Sequence, residues 1–135
     1  MKKTAVVLCP GRGTYQKTEL GSLAAYYQSP LLGQIDGVRK ALGLATVSEL
    51  DQAERYLHAL HQLPSNNAAL IYAAGLLQFQ GIDRDEYDIV AVSGNSMGWY
   101  TTLSCAGVWD AEIGSEIVSG MASLTATAAG QQFIY

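Results

Sequence analysis

The stretch that most constrains this chain runs from Tyr87 to Gly107. Ile89-Val90-Ala91-Val92 is a short β-branched apolar run that reads as a buried strand. Gly94-Asn95-Ser96-Met97-Gly98 follows at once, and then small and apolar residues able to form a helix. Gly-x-Ser-x-Gly between a strand and a helix is the setting of a nucleophile elbow. Such an elbow holds a serine Oγ clear of the backbone, on a turn so tight that its neighbours are glycine. The first turn of the helix then directs free N–H groups at the place where a tetrahedral oxyanion would form. The plain alternative is a strand-to-helix loop that happens to contain a serine. The flanking context favours the elbow, with Ser96 as the candidate nucleophile.

A second strand signal, Thr4 to Cys9, runs into the glycine-punctuated loop Pro10-Gly11-Arg12-Gly13-Thr14. In an open parallel sheet, loops at the carboxyl ends of strands are where ligands bind. Glycines there let backbone N–H groups approach an anion or a thioester carbonyl. No Gly-Lys-Ser/Thr follows, which excludes a nucleotide phosphate loop.

Apolar spacing predicts helices around Leu20–Tyr27 and Leu31–Leu42, the latter stopped by Gly43. Thr46-Val47-Ser48-Glu49 reads as a capping box opening a helix with Leu50, Ala53, Leu57 and Leu60 on one face. His58 and His61 fall on that helix and read as solvated rather than as a metal pair, since no Glu or Cys completes a site. Ser65 is the expected cap of a helix from Asn66 to Gln80, ended by Gly81. A last helix carries Ile113, Ile117, Val118, Met121 and Leu124 on its apolar stripe and ends by Gly130. The fold class expected is α/β, a parallel sheet with flanking helices.

The chain of 135 residues suits one small domain, with 49% hydrophobic and 15% charged residues. Net charge −4 and the absence of a basic cluster argue against nucleic acid as a partner. No apolar run has membrane-spanning length. The apolar run after Met1-Lys2-Lys3 is too short for a signal peptide, so a cytoplasmic location is expected. Cys9 and Cys105 lie in apolar segments without metal spacing and read as buried thiols. The apolar ending Phe133-Ile134-Tyr135, together with two strands where a covered parallel sheet needs several, suggests a truncated domain.

With loop and elbow placed, the chain resembles the malonyl-CoA:acyl-carrier-protein transacylase family, which includes the acyltransferase domains of fatty-acid and polyketide synthases. Leu8-Cys9-Pro10-Gly11-Arg12-Gly13 resembles the family's Phe-Pro-Gly-Gln-Gly. Gly94-Asn95-Ser96-Met97-Gly98-Trp99-Tyr100 is similar to its Gly-His-Ser-Leu-Gly-Glu-Tyr. Ser104-Cys105-Ala106-Gly107-Val108 matches the helix end that follows, and Asn66-Asn67-Ala68-Ala69-Leu70 lies where the family has Thr-Gln-Pro-Ala-Leu. The resemblance implies that residues 1–135 are the N-terminal portion of a hydrolase-like acyltransferase domain.

It further implies that Ser96 takes an acyl group from a thioester, with the backbone N–H groups of Arg12 and Met97 as oxyanion hole. Gly11, Gly13, Asn67, Asn95 and Met121 would stand near the substrate. The partners implied are acyl-CoA and the phosphopantetheine thiol of an acyl carrier protein, used in two half-reactions with no metal or other cofactor. Self-association, or association with the rest of the domain, is also expected.

The departures bear on mechanism. Asn95 replaces the family's histidine, and Trp99 its glutamate. No histidine follows Ser96, whereas the family's catalytic histidine does. The arginine that pairs with malonyl carboxylate falls at or next to Met121, and no Arg or Lys occurs after Arg84. An uncharged acyl group is therefore expected. Two rival readings remain: an α/β-hydrolase-type serine esterase, and a non-catalytic relative that only docks a carrier protein.

Overall fold

A computed structural model describes residues 1–127. The ending Phe133-Ile134-Tyr135, and the expected helix stop by Gly130, lie outside the described residues.

Two strands, β1 (Lys3–Cys9) and β2 (Tyr87–Gly94), pair in parallel. The register sets Lys3 against Tyr87 and Cys9 against Gly94, with an irregularity between Ala5 and Val6. Both strands were expected to be buried. Val6, Leu8 and Val90 are instead 56%, 75% and 58% exposed, because no helix among the described residues covers that side of the sheet. An uncovered apolar sheet face of this kind favours association.

The helices are α1 (Pro30–Ala41), α2 (Val47–Asp51), α3 (His58–His61), α4 (Pro64–Gln80), α5 (Gly98–Cys105) and α6 (Ala111–Thr127). The core is built around α4, which packs on α1, α2, α5 and α6. Its buried residues run from Ser65 through Ala73 without a polar face, as a helix enclosed on all sides requires. Leu23, Leu32, Ile35, Val47 and Leu50 close over it. α5 lies against both strands.

Several expectations need correction. The first helix signal resolves into two 3-10 turns, Lys17–Glu19 and Ala24–Tyr26. Leu63, not Ser65, is the N-cap of α4, and Pro64 supplies the preset φ of its first turn. The helix expected after Thr46 has the capping box, but it breaks into α2 and α3. Asp51 ends α2 by burying its carboxylate, which accepts from Tyr15 Oη (2.5 Å), Tyr27 Oη (2.7 Å) and Leu23 N (3.0 Å). His61 is 0% exposed, not solvated. Its ring nitrogens contact Leu57 N and O and Leu50 O at 3.0–3.1 Å, folding the 52–57 segment back on α2. His58 is exposed, as expected.

The core-facing stripe of α6 is also different. Ala111, Gly114, Ser115, Val118, Ser119 and Ala122 are buried, whereas Ile113, Met121 and Leu124 are exposed. Small residues face inward because α4 presses close: a Cβ on Gly114 would overlap the Tyr72 hydroxyl. Arg39, fully buried, ties this assembly together. It donates to Ala45 O, Ser65 O, Asn66 Oδ1 and Ser119 Oγ, joining α1, α4 and α6. Burial lowers its pKa to about 10, which leaves it a cation at neutral pH.

The buried phenols make alkaline stability a test of this core. Burial first, then the hydrogen bond to Asp51, holds Tyr15 and Tyr27 well above the ordinary value of 10.0. Burial pushes Tyr72 up to about 12. Above pH 10 the unfolded chain therefore binds fewer protons than the folded one. Stability is fully present below that pH and falls as pH rises through the folded values. Phenolate absorbance should show these three groups ionising only as circular dichroism is lost. All the tyrosines titrating near pH 10 with the fold intact would contradict the packing described.

Candidate active site

The parallel register brings the carboxyl ends of β1 and β2 side by side, so the loop after each meets the other. Asn95 N–H donates to Cys9 O at 3.1 Å, and Gly98 N–H closes the turn onto Asn95 O at 2.8 Å. Ser96 sits at the apex with φ 53°, the one non-glycine residue with positive φ among those described. A serine in this region stores strain on the order of 1 kcal/mol, which the surrounding contacts hold in place. Gly94 and Gly98 make the turn possible by close approach. A Cβ on Gly94 would lie 2.5 Å from the Gly98 backbone, and one on Gly98 would overlap the Cys9 carbonyl.

Ser96 lines a cavity of about 210 Å³ with Arg12, Ala68, Met97, Tyr100, Val118, Met121, Ala122 and Thr125. Ser96 Oγ has no hydrogen-bond partner among the described residues, nor do the N–H groups of Arg12 and Met97. The Gly-rich loop packs directly on the elbow, since a Cβ on Gly11 would stand 3.3 Å from Ser96 Cβ. Gly13 has φ 91° and donates its N–H to Asn67 Oδ1 at 2.8 Å.

Of the residues expected at the site, Ser96, Arg12, Met97 and Met121 meet in one cavity, with Gly11 behind them. Asn67 does not face it. It is 2% exposed, and its amide Nδ2 donates to Tyr15 O (3.2 Å) and His61 O (3.1 Å). It braces the 11–15 loop, accepting from Gly13 N–H and donating to Tyr15 O. Asn95 lies on the opposite side of the elbow, in a separate depression with Leu8, Cys9 and Pro10. No histidine lines the cavity. Both ring nitrogens of His61 are engaged by backbone, and His58 stands exposed on α3. Among the described residues no group of three metal-ligating side chains occurs, and no helix is long and apolar enough to cross a membrane.

The cavity also contains residues that sequence reasoning missed: Ala68, Tyr100, Val118, Ala122 and Thr125. Val118, Met121, Ala122 and Thr125 are spaced i, i+3, i+4, i+7, a signal of one helix face. More consequential is the Arg12 side chain. The expectation of an uncharged acyl group assumed no cation near Met121. Arg12 reaches that wall from the loop, with Nη1 donating to Thr125 Oγ1 at 3.3 Å. The premise is therefore corrected: the cavity does hold a cation.

Cys9 and Cys105 are free thiols, Cys9 buried and Cys105 half-buried. Burial, with Cys9 beside it, pushes the Cys105 thiol up to about 12, so it stays protonated and unreactive.

Among solved structures, the chain is similar to the malonyl-CoA:ACP transacylase of Synechocystis, at 24% identity and a TM-score of 0.70 over 94% of its length. It is also similar to the acyl carrier protein S-malonyltransferase of Vibrio cholerae (23%, 0.71, 96%) and to that of Bartonella henselae (18%, 0.67, 96%). The fold is that of the malonyl-CoA:ACP transacylases. At these identities the likeness establishes the fold, α/β with a parallel sheet and flanking helices. The chain spans 41% of the length of each of those enzymes. No protein-family model and no curated protein matches it.

Proposed function

We propose that this chain carries the nucleophile portion of an acyl-carrier-protein S-acyltransferase. The observation that carries the reading is the strained Ser96, set in a cavity that is also lined by Arg12 and Met97, whose N–H groups have no partner among the described residues. Attack of Ser96 Oγ on a thioester carbonyl forms the serine ester and breaks the C–S bond, releasing the first thiol. A carrier-protein phosphopantetheine thiol then attacks that ester and restores Ser96. In both steps the N–H groups of Arg12 and Met97 would stabilise the oxyanion. Splitting one transfer into two in this way is ordinary nucleophilic catalysis. Acyl-CoA as donor, the carrier protein as acceptor and a cytoplasmic setting belong to the same reading.

The described residues supply no histidine to take the Ser96 proton. General-base assistance contributes about 10²–10⁴-fold, so transfer by this chain alone should be slow by a factor of that order. This same gap is what favours the second reading, a carrier-protein docking relative without turnover.

Acceptor choice tests the proposal. The protein is incubated with an acyl-CoA, with and without a carrier protein bearing the phosphopantetheine thiol, and products are quantified by mass. Acyl-carrier protein should accumulate and hydrolysis should remain minor. Dominant hydrolysis, with simple esters used as readily as thioesters, would assign an esterase. Binding of carrier protein without any transfer would favour the docking relative.

A further inference from the structure

Arg12 enters the site by two separate groups. Its peptide N–H has no hydrogen-bond partner among the described residues, while its side chain lines the cavity and ends against Thr125 Oγ1 on α6. That bond, at 3.3 Å, is long and goes to a neutral hydroxyl. Among the described residues the ion pair present is Lys3–Glu86, so the Arg12 guanidinium has no carboxylate partner. Most of the surrounding wall is apolar: Ala68, Met97, Val118, Met121 and Ala122. Arg12 is exposed at the cavity, so its guanidinium is open to an incoming anion.

We propose that the Arg12 guanidinium determines substrate specificity by holding an anionic oxygen group of the thioester, presented across the cavity mouth. The inference rests on the acyl-transfer reading of Ser96 and adds a cation from the loop where the α6 wall has Met121. A guanidinium offers a planar fork of donors that matches a carboxylate or a phosphate with two parallel hydrogen bonds. Either group would replace the weak Thr125 contact. The anion has two sources, a carboxylate on the acyl group or a phosphate of the coenzyme arm.

Four probes separate them: acetyl-pantetheine carries neither anion, malonyl-pantetheine the carboxylate, acetyl-CoA the phosphates, and malonyl-CoA both. Dissociation constants are measured by calorimetry on the full chain in a Ser96→Ala background, which prevents transfer during the titration. Arg12→Gln keeps the backbone N–H and removes the charge; Arg12→Lys restores a cation, and circular dichroism checks that each variant is folded. Arg12→Gln should weaken the anionic probes about tenfold and leave acetyl-pantetheine unchanged, with Arg12→Lys recovering part of the loss. A loss confined to the malonyl probes assigns the carboxylate, and one confined to the CoA probes assigns the phosphate. If all four probes bind Arg12→Gln as they bind Arg12, or if acetyl-pantetheine weakens equally, the inference is overturned while the acyl-transfer reading stands. If no probe binds either protein, that reading fails and the inference fails with it.

Discussion

Replacing Gly98 by alanine is expected to destabilise the fold by about 3 kcal/mol or more and to disorder the elbow. The cause is local and backbone-to-backbone. A Cβ at this position would overlap the Cys9 carbonyl and come within 2.9 Å of Pro10 O. Neither is the end of a flexible side chain, so relief requires α5 to move off β1. That movement would separate the Gly-rich loop from Ser96. In a domain of this size the loss corresponds to a fall in melting temperature on the order of 10 °C. Gly37→Ala in α1 is the contrasting substitution. Nothing lies within 4 Å of a Cβ there, and alanine in a helix interior should raise stability by about 0.5–1 kcal/mol. Thermal melts of the two variants should therefore shift in opposite directions. Gly98→Ala melting with the wild type would mean that the elbow does not pack on β1 as described.

The same close approaches explain what could be read from the sequence. Gly94, Ser96 and Gly98 are separated by single residues, so their spacing alone reports a sharp turn. The Pro10–Thr14 loop announced itself in the same way, by glycines after a strand. Both features are local. The fate of His61 was not, because its burial depends on Leu50 and Leu57, which helical periodicity had set on a common face. The tertiary pull of Asp51 toward Tyr15 and Tyr27 breaks that helix, and no pattern within residues 46–62 reveals it. The inward face of α6 departs from the apolar stripe for a related reason. Large apolar residues suggested the buried stripe, but α4 lies so close that only small ones fit. The burial of Asn67 is likewise invisible in its spacing, because it depends on the Tyr15 and His61 carbonyls that its amide meets. For Arg12 the motif points only to the peptide N–H, since a match by backbone position says nothing of where the side chain ends.

Ser96→Ala is expected to have the larger functional effect, a complete loss of covalent acylation with little change in stability. Ser96 Oγ makes no hydrogen bond among the described residues and is exposed to the cavity, so its removal breaks no contact of the fold. Alanine also accepts the backbone at φ 53° at a cost close to that of serine. What is lost is the cavity hydroxyl that the elbow presents on a strained turn. The other hydroxyls on the wall, the Tyr100 phenol and Thr125 Oγ1, belong to helices and lack the elbow's strained presentation, and Thr125 Oγ1 already donates to Ala122 O.

The most direct measurement is intact mass with peptide mapping after incubation with acyl-CoA thioesters, taken over times long enough for a reaction unaided by histidine. The wild type should gain the mass of one acyl group, mapped to Ser96, and Ser96→Ala should gain none. Equal labelling of both proteins, an adduct on another residue, or no adduct on the wild type would contradict the assignment of Ser96 as the acyl-accepting nucleophile.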